Sequence, residues 1–366
     1  MTFAFSEDPD VKRSIDEMLI AHGYPFEEHQ VLTIDGYQLK IYRITGGKNS
    51  TGKDVSEKQP VLFGHGLADS SDLFVSNEEE LSPGYIAANL GFDLWLMNSR
   101  GNKHSRSNIY LDPKSKQFWD YSFHEIGNID VKAIIEYIKN HTKKEKIIYI
   151  GHSQGGSQIF ALCSLNPNFC KNNIKGILAL APAVFLHHNR SPYLKELAIL
   201  NIKFISDLLG IYNVFGSRES SNKFTTFTCK YFHLFCHMSA KFISEDDPTD
   251  NNEKRDEVGF SHYPSGTSVK TLAHYQKLML YKKFVDYNGN EYPLSAVNVP
   301  VHLFGGNHDR LVVELDLNIL AEKIKKVLKK YIIFEYQGHT TFLMTCGTKN
   351  NYIEEYKKSL LEISSY

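Results

Sequence analysis

In this 366-residue chain one serine stands where its neighbours can turn it into a nucleophile. Ser153 lies in Gly151-His152-Ser153-Gln154-Gly155, directly after the apolar run Ile147-Ile148-Tyr149-Ile150. The spacing predicts a buried strand that delivers the serine into a tight turn, with a helix opening at Gln154. Glycines on either side leave room for a strained turn and let the hydroxyl stand clear of the backbone. A serine held this way attacks an acyl carbon once a base takes its proton.

The base and its orienting acid have candidates in the required order. Residues 299–304 read as a late strand, followed by Gly305-Gly306-Asn307-His308-Asp309. Residues 331–336 read as the last strand, followed by Gln337-Gly338-His339. His339 would accept the Ser153 proton, and Asp309 would hold the imidazole in the right tautomer and stabilise the imidazolium. Asp316 is the fallback acid, expected on the solvent face of the following helix. Ser, Asp, His is the chain order of the α/β-hydrolases, whose strand–turn–helix serine motif this chain resembles. An early strand at 60–63 runs into Gly64-His65-Gly66-Leu67. A turn there would aim the Leu67 amide at the developing oxyanion, opposite the amide of Gln154. His65 is expected to shape that turn rather than to move protons.

These groups need a scaffold. Residues 28–44 alternate like a hairpin around Asp35-Gly36. Ser82-Pro83 starts a helix, Gly91 ends it, and 92–97 form the next strand. Ile126, Ile129, Ala133, Ile134, Tyr137 and Ile138 recur at helical spacing, and 176–182 read as the strand after the nucleophile. Strands alternating with helices imply a mainly parallel sheet covered on both faces. The long aromatic-rich interval before residue 299 breaks that alternation. It implies a helical cap or lid at 185–290, inserted between core parts at 1–184 and 291–366.

The balance of 41 basic and 42 acidic side chains, with no polybasic stretch, argues against a nucleic-acid partner. No apolar run is long enough for a transmembrane segment. The N-terminal residues lack the basic and apolar regions of a secretory signal. Five cysteines, with no C-x-x-C, suit no zinc ribbon. Cys163 is expected to be a small core residue.

Taken together, the motifs resemble the acid lipases that include the gastric and lysosomal enzymes. The likeness runs from about residue 22 to 345 and rests on Gly23-Tyr24-Pro25-Phe26-Glu27-Glu28, the 65–72 and 93–102 segments, Phe118-Trp119-Asp120-Tyr121-Ser122-Phe123, the Ser153 motif, Ala179-Leu180-Ala181-Pro182 and the 262–269 segment. By that resemblance the nucleophile, acid and base fall on Ser153, Asp309 and His339, and the oxyanion amides on Leu67 and Gln154. It implies hydrolysis of triacylglycerols or cholesteryl esters, neutral lipid esters met at a lipid–water interface, with no cofactor and no metal. It also implies a cap disulfide between Cys229 and Cys236 and a secreted or lysosomal location. The chain departs from the family by an extra residue in the acid motif, by Thr341 where an aspartate is usual, and by Gly156 where a threonine is usual. A short-chain carboxylesterase and a non-catalytic lipid-binding relative remain the alternatives.

Overall fold

A computed structural model describes residues 8–50, 55–192, 194, 202–214, 252 and 254–366. Eight strands form one sheet: β1 (Phe26–Leu32), β2 (Gln38–Ile44), β3 (Pro60–Gly64), β4 (Asp93–Leu96), β5 (Ile147–His152), β6 (Ile174–Leu180), β9 (Val301–Gly306) and β10 (Leu328–Phe334). Their spatial order is β1-β2-β4-β3-β5-β6-β9-β10. A separate two-stranded ribbon pairs β7 (Asn213–Val214) with β8 (Thr267–Ser268). β1 and β2 form the expected hairpin, and β2 meets β4 antiparallel. From β4 to β10 every pairing is parallel. This is the α/β-hydrolase fold.

The central strands β3, β4 and β5 are buried at every position. Their near-continuous apolar sequences are what parallel strands need when helices cover both faces. The helix Pro83–Asn89 connects β3 to β4, and the helix Gln154–Leu165 connects β5 to β6. Between β4 and β5 the expected helix is present, but its first turn, Ile126–Val131, is wound as a π-helix before Lys132–Thr142 continues as α. There Gly127 lets two helices touch, because a Cβ would lie 2.4 Å from the Gln158 carbonyl oxygen on the helix that follows Ser153.

One expectation needs correction. Cys163 is fully buried, but it is disulfide-bonded to Cys170 across a Cα separation of 5.4 Å. The helix carrying Cys163 ends at Leu165, and Pro167 starts a second helix, Pro167–Asn173, which folds Cys170 back beside it. Strand and helix periodicity say nothing about this reversal. Cys229 and Cys236 lie outside the described residues, as does the whole segment 215–251 within the expected cap interval. No helix among the described residues is long and apolar enough to cross a membrane.

Candidate active site

Ser153 leaves the end of β5 with φ 52° and ψ −113°, a backbone setting that L-residues rarely adopt. The cost is offset by close packing that only glycine permits. A Cβ on Gly155 would sit 2.1 Å from the Gly64 carbonyl oxygen, and one on Gly151 would sit 2.7 Å from the Gly155 carbonyl carbon. Hydrogen bonds hold the turn: the Ser153 amide donates to the Leu180 carbonyl at 2.9 Å, and the Ser153 carbonyl accepts from the Ala183 amide at 3.0 Å. The helix beginning at Gln154 turns its positive end toward this serine.

His339 and Asp309 are brought to the same place by loops after β10 and β9. His339 Nε2 lies 2.8 Å from Ser153 Oγ, and His339 Nδ1 lies 2.7 Å from Asp309 Oδ2. All three side chains are buried, although 186 residues separate the serine from the histidine. The other carboxylate oxygen of Asp309 accepts from the Leu311 amide at 2.7 Å and the Val312 amide at 2.8 Å. Arg190 donates to the main-chain oxygens of Asn307 and Asp309, both at 3.1 Å. β9 continues through Gly306, where a Cβ would meet the Gln337 carbonyl oxygen at 2.0 Å. That same carbonyl accepts from the His308 amide, so the acid loop and the base loop are tied together.

Asp316 does not join this group. It lies on the helix Glu314–Lys323, as expected, but it is buried rather than solvent-facing. There it accepts from the His188 amide at 3.0 Å and pairs with the His188 ring at 2.7 Å. In the base loop Thr341 Oγ1 accepts from the Gly338 amide at 2.7 Å, so a hydroxyl serves this turn.

Gly66, next to Leu67, packs against Ser153: a Cβ there would lie 3.5 Å from Ser153 Cβ and 3.4 Å from His152 Nδ1. His65 Nδ1 donates to the Gly66 carbonyl at 2.8 Å, and its Nε2 accepts from the Ser99 amide at 3.0 Å, which fixes the tautomer. Burial pushes this imidazole down to about 4, which keeps it neutral. His152 is held similarly. Its Nε2 lies 3.0 Å from the His339 carbonyl oxygen, and burial pushes it down to about 3.

Sequence reasoning missed the support behind this turn. Arg100 donates to Asp130 at 2.6 and 2.8 Å and to Asp35 at 2.6 Å, and it stacks 4.0 Å over the Tyr37 ring. It therefore pins the loop carrying Ser99, and through it His65, to the hairpin turn and the π-helical segment. Arg100 and Asp130 each lie in a segment the sequence analysis singled out, but neither segment names its partner. Among the described residues, Glu27, His29 and His141 form a possible metal group. Arg43 already donates to Glu27 at 2.9 Å and to His141 at 3.1 Å, so a cation occupies that space.

Such an arrangement can carry a proton from a hydroxyl to an imidazole while a carboxylate steadies the charge that forms. Comparison with known proteins identifies the family. Residues 59–344 match the α/β-hydrolase fold family, and residues 15–78 match a partial α/β-hydrolase lipase region. Rat gastric triacylglycerol lipase is 32% identical over 92% of this chain and 88% of its own length. Human lipase member K is 31% identical over 92% of this chain and 88% of its own. A candidate lipase from Sulfolobus solfataricus has the same fold, with a TM-score of 0.62 at 17% identity over 90% of this chain and 89% of its own. The chain belongs to the α/β-hydrolase family, in its lipase branch of carboxylic ester hydrolases.

Proposed function

We propose that this chain is a serine lipase that cleaves carboxylic esters of neutral lipids, triacylglycerols or sterol esters, through an acyl-enzyme on Ser153. The observation that carries this reading is the hydrogen-bonded line from Ser153 Oγ through His339 to Asp309, at 2.8 and 2.7 Å. His339 takes the hydroxyl proton as Ser153 Oγ bonds to the ester carbonyl carbon. The carbonyl oxygen becomes an oxyanion that the Leu67 and Gln154 amides receive. As the tetrahedral intermediate collapses, His339 gives its proton to the departing alcohol. A water, deprotonated by His339, then releases the fatty acid and restores Ser153.

The choice of a lipid ester rests on two supports. Relatives of this chain carry the name gastric triacylglycerol lipase. In addition, the helix Ile202–Leu209 exposes Phe204, Ile205, Leu208 and Leu209, with Ile211 beside them. A contiguous apolar helix face open to water suits contact with a lipid surface. We place this helix in a cap spanning 185–290, between core parts 1–184 and 291–366. The division is supported by the sheet, in which β6 and β9 are neighbours although the whole interval lies between them.

The test is hydrolysis of glycerides from butyrate to oleate, and of cholesteryl oleate, by wild type and Ser153→Ala. Long-chain turnover that falls on the order of 10⁴-fold or more in the variant is the expected result. Turnover confined to short soluble esters would make the enzyme a carboxylesterase. Absence of any Ser153-dependent turnover from folded protein would favour a lipid-binding role.

A further inference from the structure

Asp69 is a buried carboxyl that the proposed chemistry does not use. It follows Leu67 by two residues on the turn after β3 and is 3% exposed. Its Oδ1 accepts from the Ser70 amide at 2.6 Å, and the Gly66 amide also faces the carboxyl. The side chain therefore spans the turn that carries Leu67, with an amide at each end. Ala68, between them, sits at φ 55°, and its carbonyl accepts from the Ser265 amide at 2.6 Å. The main-chain oxygen of Asp69 accepts from Asn102 at 3.4 Å.

The charges around Asp69 are arranged to leave it without a counterion. On its own loop, Asp72 draws in the basic groups of the neighbouring segments: Lys103 at 2.6 Å, His104 at 2.7 Å and His262 at 2.8 Å. Asp72 itself opposes ionisation of Asp69, while Lys103, already paired, favours it only weakly. From the 262–265 segment the Tyr263 phenol faces Asp69, a group that stays neutral below about pH 10. No ion pair reaches Asp69 among the described residues. The Ser70 and Gly66 amides favour the charged form, but burial outweighs them: a carboxyl taken out of water and lacking a cation cannot recover its lost hydration, and it keeps its proton. Consistent with this, burial pushes the Asp69 carboxyl up to about 8.

We infer that Asp69 positions the Leu67 turn, and that it does so as a neutral carboxylic acid whose ionisation shuts down turnover at alkaline pH. The inference rests on the serine-hydrolase reading of Ser153. When Asp69 loses its proton to solvent, the new carboxylate tightens on the Gly66 and Ser70 amides and re-aims the Leu67 amide between them. It also adds a negative charge beside the place where the oxyanion forms. Both effects act on the transition state more than on the bound ester, so kcat falls and KM changes little.

The test is a kcat and KM profile on p-nitrophenyl butyrate, a soluble ester that avoids interfacial effects. Wild-type kcat is expected to drop on the order of tenfold or more between about pH 7 and about pH 9.5. Asp69→Asn keeps an acceptor for Ser70 but cannot ionise. Its kcat is expected to be severalfold lower near neutrality and then flat across the same range. An alkaline fall retained in Asp69→Asn, or absent from wild type, would overturn the inference. A second readout needs no turnover: carboxyl ¹³C resonances of Ser153→Ala protein, with Asp69 assigned by its loss in the double variant. Titration near pH 8 supports the acid form, and titration near pH 4 overturns it. If wild type shows no Ser153-dependent hydrolysis, the hydrolase reading fails first and the positioning role falls with it, whatever the resonance shows.

Discussion

Among the described residues two aspartate–histidine pairs are buried on both sides, Asp309 with His339 and Asp72 with His262. In both, the ring Nδ1 meets a carboxylate oxygen, at 2.7 and 2.8 Å. The difference lies at the other nitrogen. His339 Nε2 faces the Ser153 hydroxyl at 2.8 Å, whereas His262 Nε2 faces the main-chain oxygen of Asp10 at 3.2 Å. A hydroxyl has a proton to give and a carbonyl has none, so of these two pairs only the first can play the relay role proposed for it. The surroundings differ as well. Asp309 is steadied by two amides, but Asp72 collects Lys103, His104 and His262. The second cluster extends through Asp10 to Arg255 and His22, so it bolts the N-terminal arm to the loop after β3 and to the helix Asp256–His262. An Asp–His pair is therefore a staple or a relay according to what the second nitrogen meets.

The contrast can be broken directly. His339→Ala is expected to lower kcat on the order of 10⁴-fold or more while unfolding at nearly the wild-type temperature. His262→Ala should do the reverse: kcat within about fivefold, and a loss of about 3 kcal/mol in denaturant unfolding, since it removes a partner from a buried charge cluster. Equal loss of turnover in both would show that the second pair also serves the chemistry.

Asp309→Asn against Asp316→Asn sharpens the comparison further. The first should cost about 10⁴-fold in kcat, because an amide favours the wrong tautomer of the base. Among the described residues the second hydrogen-bonds through its side chain to His188, away from Ser153, and its loss should leave ester hydrolysis within about threefold. Full activity in Asp309→Asn would require another acid for His339.

The smallest effect concerns pH. Burial alone would raise the Asp72 carboxyl, but His104 and Lys103 beside it outweigh that and hold it well below the usual carboxylate range. A carboxylate depressed in the folded state contributes stability that is fully present above the unfolded value of about 4 and is lost as pH falls further. The stability margin of wild type over Asp72→Asn should thus shrink as pH falls below about 4. A margin that grows on acidification would contradict this sign.

The strand and helix pattern was open to sequence reading because burial on both faces demands unbroken apolar runs, as in β3 and β5, and helices demand their own period. Candidates for the site were open as well, because each follows a strand end in a set order. Less visible were the partners. Nothing in the chain says that Asp316 turns inward to His188, that Cys170 folds back on Cys163, or that Arg100 meets Asp130.

By itself, then, the sequence determined the order of strands, the serine turn with its glycines, and the loops that follow the strands. Those features are local, set by periodicity and by the φ/ψ needs of a few residues. Only the tertiary structure decided which carboxyl pairs with which histidine, and which carboxyl is left without a cation. Such pairings depend on distances between segments far apart in the chain, and on how much water the packing leaves around each charge.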